Sequence, residues 1–288
     1  MRMKKTLLLM ALICCMSAGL RAESGTCGAN LSWEYANGTL TITGSGAMTN
    51  YESYDPAPWY SIRESIVQVS LPEELTTIGK NAFNSCTKLQ SVTIPAKVTT
   101  IANNAFDYCQ VMSRVTFAPG STLQTIGECA FLRCYALTSI SLPSSLKTIK
   151  KEAFRYCNKL TSITIPASCS SIEQDAFREC SELSEVVLKE GVKTIASNVF
   201  TSCPNLTSVT LPNSLIAIGT EAFNGCSSLT HITIPKNIKS IAERTFASCT
   251  SLATISLPDS LTTIGYQAFY GSGLTEIDLP NSITSYAN

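Results

Sequence analysis

The sequence predicts an α/β solenoid in which one short unit is stacked about ten times, and three observations carry that prediction. Nine phenylalanines, Phe83, Phe106, Phe131, Phe154, Phe177, Phe200, Phe223, Phe246 and Phe269, stand 23 residues apart, except for the 25 residues between Phe106 and Phe131. Each unit opens on a Leu-x-x-Ile-x-Leu phrase that usually closes with proline, seen most cleanly in Leu137–Cys157. An isoleucine recurs five residues before each phenylalanine, from Ile78 to Ile264, and a small residue, usually alanine, precedes it in most copies. A fixed period of roughly 20–29 residues with such a head marks a right-handed leucine-rich-repeat solenoid, whose units bury their apolar sides only against their neighbours.

Residues 1–22 stand outside this scheme. Arg2, Lys4 and Lys5 make a basic start, Thr6–Leu20 is an apolar run, and Leu20-Arg21-Ala22 offers a cleavage site. This is the layout of a secretory signal peptide, and the run is shorter than the ~20 apolar residues a membrane span needs.

Residues 23–62 are expected to form an N-terminal cap. Leu31–Tyr35 and Thr39–Thr43 alternate apolar with polar residues around Asn37-Gly38, a strong hairpin signal. Tyr51, Tyr54, Trp59 and Tyr60 follow in a non-repetitive stretch. They are read as the cover for the first repeat's open apolar end, ahead of a sugar- or peptide-binding patch.

Residues 63–288 then form the solenoid. Ten short parallel strands are predicted, the first at Val67–Pro72 and the last ending at Pro280. At ~4.8 Å per strand the sheet would run about 45 Å. Proline at the strand ends is tolerated because the ladder stops there. On the opposite side, Ile, Ala and Phe suit a short helical or 3₁₀ turn with Phe plugging the interior. Gly79, Gly127, Gly219 and Gly265 are expected to supply a left-handed corner.

Composition narrows the function. The chain carries 21 basic and 21 acidic residues, and charged residues are only 15% of it. Nucleic-acid binders carry a basic face, and anionic membranes attract basic segments, so neither partner is indicated. Thirteen cysteines are present, two of them in 1–22. Eight follow their phenylalanine by three residues, from Cys86 to Cys249, and are read as buried thiols stacked rung on rung. Pairing neighbours would draw two rungs together and break the even repeat. Cys169 takes a leucine position and reads as core, Cys129 as partly exposed, and Cys27 stands alone in the cap.

No Cys-x-x-Cys, Walker loop, nucleophile elbow or dinucleotide fingerprint occurs, so no metal or cofactor is predicted. His231 is the single histidine, and any Ser-His-Asp arrangement would rest on it alone. Glu276 and Asp278 lie two apart on a predicted strand and so share one face, whereas a glycosidase pair must face each other across a cleft. No catalytic site is predicted.

The exposed sheet face is the candidate binding surface. Alternate strand residues face opposite sides, so those flanking the central isoleucine project outwards. They include Ser91 and Thr93, Arg114 and Thr116, Ser139 and Ser141, Ser162 and Thr164, and Glu185. Ser208 and Thr210, His231 and Thr233, and Glu276 and Asp278 continue the series. Such a strip reads either as a solvated β face, where threonine suits strand geometry, or as the extended binding surface that solenoids provide. Beyond Arg114 it offers few anchors, so binding there is expected to be weak per site or multivalent.

The repeat, Leu-x-x-Ile-x-Leu-Pro-x-x-Leu-x-x-Ile-Gly-x-x-Ala-Phe-x-x-Cys over residues 63–288, resembles that of the BspA-type leucine-rich repeat family of secreted and surface proteins. The segment from Cys27-Gly28 through Leu31-Ser32-Trp33 to Pro58-Trp59-Tyr60 looks like the cap common in that family. The resemblance implies a surface or secreted adhesion module, with host matrix proteins as partners of some members. With no catalytic motif in the residues, binding of a host or matrix protein, or of a glycan, is expected ahead of an enzyme-associated role. A secreted or surface-bound monomer is expected; a structural spacer or a displayed antigen is the alternative.

Overall fold

The structure, a computed structural model, describes residues 23–287; the expected signal segment, 1–22, lies outside the described residues. Three antiparallel strands open the fold: β1 (Glu23–Gly28), β2 (Asn30–Ala36) and β3 (Thr39–Ala47). Asn37 and Gly38, with φ of 50° and 82°, make the two-residue turn between β2 and β3. Two adjacent positive φ values match the twist of the strands they join, which is why Asn-Gly sits there. The sequence showed the β2–β3 hairpin, but β1 pairs along β2 as a third strand.

β3 also begins the solenoid. Its first half, Thr39–Thr41, pairs in parallel with β4 (Gln68–Ser70), and its end, Gly46–Ala47, pairs with β5 (Leu75–Ile78). From there every unit contributes two short strands. Nine leading strands, from β4 to Thr254–Ser256, form one face, and ten trailing strands, from β5 to Ser285–Tyr286, form the other. Both series are parallel and in register: Ser91 stands beside Arg114 and Arg114 beside Ser139, while Ile78 stands beside Ile101 and Ile101 beside Ile126. The tenth leading strand expected before Pro280 does not form; Glu276–Leu279 is irregular.

The far side departs from a helical reading in an instructive way. Bonds of 3₁₀ type occur there, such as Ala82 N–H to Gly79 O at 3.2 Å and Cys86 N–H to Phe83 O at 3.2 Å. They do not accumulate into a helix, because residues two before and two after each phenylalanine are left-handed: Asn81 and Ser85, Asn104 and Tyr108, Glu152 and Tyr156. Up to Ser248, each left-handed residue flanking a phenylalanine turns its N–H towards the next rung, where Asn81 N–H meets Asn103 O at 3.1 Å and Ser85 N–H meets Asp107 O at 2.8 Å. The turns thus bond sideways as strands do.

Gly79, Gly127, Gly219 and Gly265, expected at left-handed corners, are not left-handed. They are sites of close approach: a Cβ on Gly219 would lie 2.6 Å from Ala196 C, and one on Gly127 would lie 2.7 Å from Ala102 C.

The core is built of columns of side chains stacked rung on rung, with the phenylalanines forming one file. Successive phenylalanine rings stack at 5.1–5.8 Å with planes within 15° of parallel, and those from Phe83 to Phe246 are fully buried. Burying such a ring contributes about 1.5–3 kcal/mol, and an offset stack about 0.5–1.5 kcal/mol more. Trp59 extends the file by one ring, stacked 5.8 Å from Phe83, with Trp33 and Tyr51 edge-on against it. Of the aromatics expected to cap the solenoid, Tyr51 and Trp59 are buried; Tyr54 and Tyr60 are exposed.

The cysteine column lines the same interior. All eleven cysteines among the described residues are free thiols. Each Sγ–H from Cys109 onward donates to the phenylalanine carbonyl of the preceding rung, as in Cys109 to Phe83 O at 3.2 Å and Cys157 to Phe131 O at 3.4 Å. Burial pushes these thiols up, Cys86, Cys203 and Cys249 to about 12, so they remain protonated donors. Cys169 is buried and Cys129 half-buried, in the places expected of them.

Candidate functional site

The leading sheet turns its outward residues into two columns. Thr39, Gln68, Ser91, Arg114 and Ser139 follow one another in register, and beside them run Thr41, Ser70, Thr93 and Thr116. Ser162, Glu185 and Ser208 continue the first column, and Thr164, Val187 and Thr210 the second. Ser91, Thr93, Arg114, Thr116, Ser139, Ser141, Ser162, Thr164, Glu185, Ser208, Thr210, His231 and Thr233 are all exposed. Glu276 and Asp278 are exposed too, but they lie outside any strand and do not extend the sheet.

Hydroxyl chemistry dominates the face. Thr93 and Thr116 share a hydrogen bond of 2.9 Å across adjacent rungs. His231 lies between two hydroxyls, Nδ1 at 2.8 Å from Thr254 Oγ1 and Nε2 at 3.1 Å from Thr233 Oγ1. The imidazole therefore meets alcohols at both nitrogens, with no carboxylate at either to orient it as in a triad.

The face deepens at its first rungs into a groove of about 620 Å³. Gln68, Ser70, Ser91 and Thr93 form its floor, and Glu73 stands at its rim beside the Lys97–Glu74 ion pair, whose Nζ lies 2.6 Å from each carboxylate oxygen. Ala118 and Pro119 close one side. They belong to the unit with two extra residues, where Ser121 N–H bonds back to Ala118 O at 3.1 Å and Gly120 is left-handed. The one break in the 23-residue period is thus spent on a wall of this groove. Spacing revealed the insertion, but nothing in the residue order gave its position beside that floor.

The turn edge holds a group of side chains that sequence reading did not single out. Tyr156, Glu179 and Ser202 occupy the left-handed position after phenylalanine on successive rungs, and Tyr108 takes the same position farther back. The available signal was the fixed offset from phenylalanine, masked by the change of residue type at every rung.

Among the described residues no cluster of three or more His, Cys, Asp or Glu could hold a metal, and no helix is long and apolar enough to cross a membrane.

The fold and the repeat identify the class: a parallel leucine-rich-repeat solenoid. The pattern of the BspA type leucine rich repeat region (6 copies) matches residues 59–184, 113–230 and 170–288, and the chain belongs to that family. A leucine rich cell surface protein from Faecalibacterium prausnitzii is 27% identical, with a TM-score of 0.60, over 91% of this chain and 78% of that one. A leucine rich repeat protein of T. pallidum is 28% identical, with a TM-score of 0.55, over 71% of this chain and 91% of that one. No curated protein matches the chain.

Proposed function

We propose that this chain is an exported, non-catalytic interaction protein that binds a protein, or a glycan, of a neighbouring surface on its leading sheet. The observation that carries this reading is the groove of about 620 Å³ on that sheet, floored by in-register hydroxyls and walled by the one insertion in the repeat. Ligand sites are concave, with a few placed polar groups among apolar walls, and Leu71, Pro95, Ala96 and Pro119 supply such walls here. The basic-apolar start of the sequence supports export, and the likeness to a protein described as cell-surface agrees with it. Polar, shallow contacts of this kind suit a modest affinity per site, raised by multivalency when many copies stand on one surface.

The test is a binding screen of residues 23–288 against immobilised extracellular-matrix proteins and glycans. It is repeated with Thr93→Arg at the groove and with Ser139, Ser162 and Ser208 each replaced by aspartate. Saturable binding that these changes abolish is the expected outcome. Binding that survives all four would remove the leading sheet as the site, and no binding to any surface would leave a spacer in its place.

A further inference from the structure

We propose a second binding site, on the turn edge of the solenoid, that takes a neutral oligosaccharide laid along the solenoid axis. It rests on different residues from the leading-sheet reading and stands or falls apart from it. Two columns bound the site. One is the left-handed column Tyr108, Arg133, Tyr156, Glu179, Ser202, Gly225. The other runs just past the cysteines, where Tyr135, Asn158, Ser181 and Pro204 are equivalent; Lys159 N–H meets Tyr135 O at 3.2 Å, and Glu182 N–H meets Asn158 O at 3.0 Å. Between the columns lies a hollow of about 340 Å³ lined by Tyr156, Asn158, Glu179, Ser181 and Ser202. Towards the cap, Tyr108 and Tyr135 stand edge-to-face at 6.3 Å at equivalent positions of the two columns.

The polar groups are held in place before any ligand arrives. Glu179 Oε1 accepts from Arg178 Nε at 3.1 Å and from Arg155 Nη2 at 3.4 Å. Its other oxygen has no protein donor among the described residues. Arg155 also donates to the Tyr156 hydroxyl at 3.3 Å and lies over that ring at 4.8 Å. Ser181 Oγ donates to Asn158 O at 3.3 Å. Asn158 donates its amide N–H groups to Glu179 O and Tyr156 O, both at 3.1 Å, and so presents its amide oxygen. An aromatic ring beside a fixed carboxylate, an amide oxygen and hydroxyls is what a sugar requires, with C–H faces to pack and hydroxyl pairs to bond.

The ligand class follows from what the edge lacks. Arg155, Arg178 and Arg133 each face a carboxylate, Glu152, Asp175 and Asp107, and Lys159 pairs with Glu182. Among the described residues the cations beside this hollow are thus already matched by carboxylates, which disfavours an acidic ligand there. A peptide would add by backbone pairing, but the N–H groups here already bond rung to rung, as Tyr156 does to Arg178 O and Ser202 to Asn224 O. The rungs are parallel strands about 4.8 Å apart, with phenylalanine ring centroids 5.1–5.8 Å apart, a step near that of a pyranose linked across its ring, so successive sugars would meet successive rungs.

The test is saturation-transfer NMR and calorimetry on the full chain with cellotetraose and chitotetraose as neutral probes and a sulfated heparin tetrasaccharide as the acidic one. At least one neutral probe is expected to bind in the millimolar range. Glu179→Gln and Ser202→Arg should each weaken it about five- to tenfold, the size of one or two lost hydrogen bonds. Ser202 is exposed, and its column already holds Arg133 in the same backbone conformation, so the arginine folds in place while blocking the hollow. Ser240→Arg, at an exposed position on a trailing strand, should leave binding unchanged. Binding of the sulfated probe alone, no neutral binding, indifference to both edge variants, or loss through Ser240→Arg would each overturn the proposal.

Discussion

Among the described residues the first and last rungs of the solenoid are covered in different ways. At the start, Trp59 stands where a preceding rung would put a phenylalanine: it is fully buried, stacked on Phe83, and its indole N–H donates to Ala82 O at 2.7 Å. In the later rungs the carbonyl of the residue before each phenylalanine accepts from the preceding phenylalanine's backbone N–H, as Ala105 O does from Phe83 at 2.8 Å and Val199 O from Phe177 at 2.9 Å. A side chain has taken over a backbone bond. At the other end Phe269 is half-buried, Tyr270, Leu279 and Tyr286 are exposed, and an apolar hollow of about 460 Å³ lies open. Gln267, Phe269 and Gly271, whose counterparts donate to a following rung, find no such acceptor among the described residues. In a stack stabilised by neighbours, the closed end should hold and the open end should fray first.

The largest expected effect tests that difference directly. Trp59→Ala and Phe154→Ala should each cost about 3–5 kcal/mol in urea unfolding, the range for losing a buried ring. Phe269→Ala, with a neighbour on one side only, should cost about 1–2 kcal/mol. Equal losses at Trp59 and Phe269 would mean that the ends are equivalent.

A flaw in the well-closed half gives the next effect. Asp107 is nearly buried, with Oδ1 unbonded and Arg133 no closer than 3.8 Å. Burial pushes its carboxyl up from 3.8 to about 6, against the opposing pull of Arg133 and Asn84. A raised carboxyl destabilises the fold when ionised; the penalty is absent below about pH 4, grows between 4 and 6, and is full above 6. Asp107→Asn should therefore stabilise the protein at pH 7 by on the order of 1–2 kcal/mol, allowing for solvent at its rim. The gain should vanish in melts below about pH 4.

The cysteine column reports fraying rung by rung. Cys109 and Cys249 are equally buried in the native state, with the same bond to a phenylalanine carbonyl at 3.2 Å. Pulsed alkylation read by mass spectrometry should modify Cys249 about tenfold faster than Cys109, equivalent to ~1.4 kcal/mol in local opening. Equal rates would show that the solenoid opens only as a whole.

Much of this architecture was legible in the residues, and the remainder was hidden for physical reasons. Phenylalanine, isoleucine and leucine at fixed offsets place the core because a parallel stack admits one side chain per rung at each position. The trailing strands were not legible, since two residues such as Thr148-Ile149 are too few to show alternation. The left-handed positions were missed because Asn, Glu, Tyr and Arg fill them rather than glycine. Rung-to-rung bonding compels that conformation, and this outweighs the usual preference. Trp59 was expected to cover an end, but its bond to Ala82, 23 residues away, is visible only in three dimensions. The outward columns of the leading sheet followed from alternation, whereas the edge group at Tyr156 and Glu179 depends on turns that no alternation describes.

The smallest expected effects separate hydroxyls that hold the stack from hydroxyls that face solvent, and then one end from the other. Ser168 Oγ donates to Leu146 O at 2.6 Å, and Ser145, Ser214 and Ser260 bond one rung back in the same way. Ser168→Ala leaves a half-buried carbonyl short of a partner and should cost about 1 kcal/mol. Ser162, outward on the leading sheet, makes no such bond, so Ser162→Ala should stay within about 0.5 kcal/mol. Ser282 makes the same bond as Ser168, to Leu261 O at 2.6 Å, but beside the open end. If that rung has already loosened when the rest unfolds, Ser282→Ala should cost only a few tenths of a kcal/mol in global unfolding, while amide exchange near Leu261 quickens. A full 1 kcal/mol at Ser282 would mean instead that the last rung unfolds with the others and that the open end is as firmly held as the closed one.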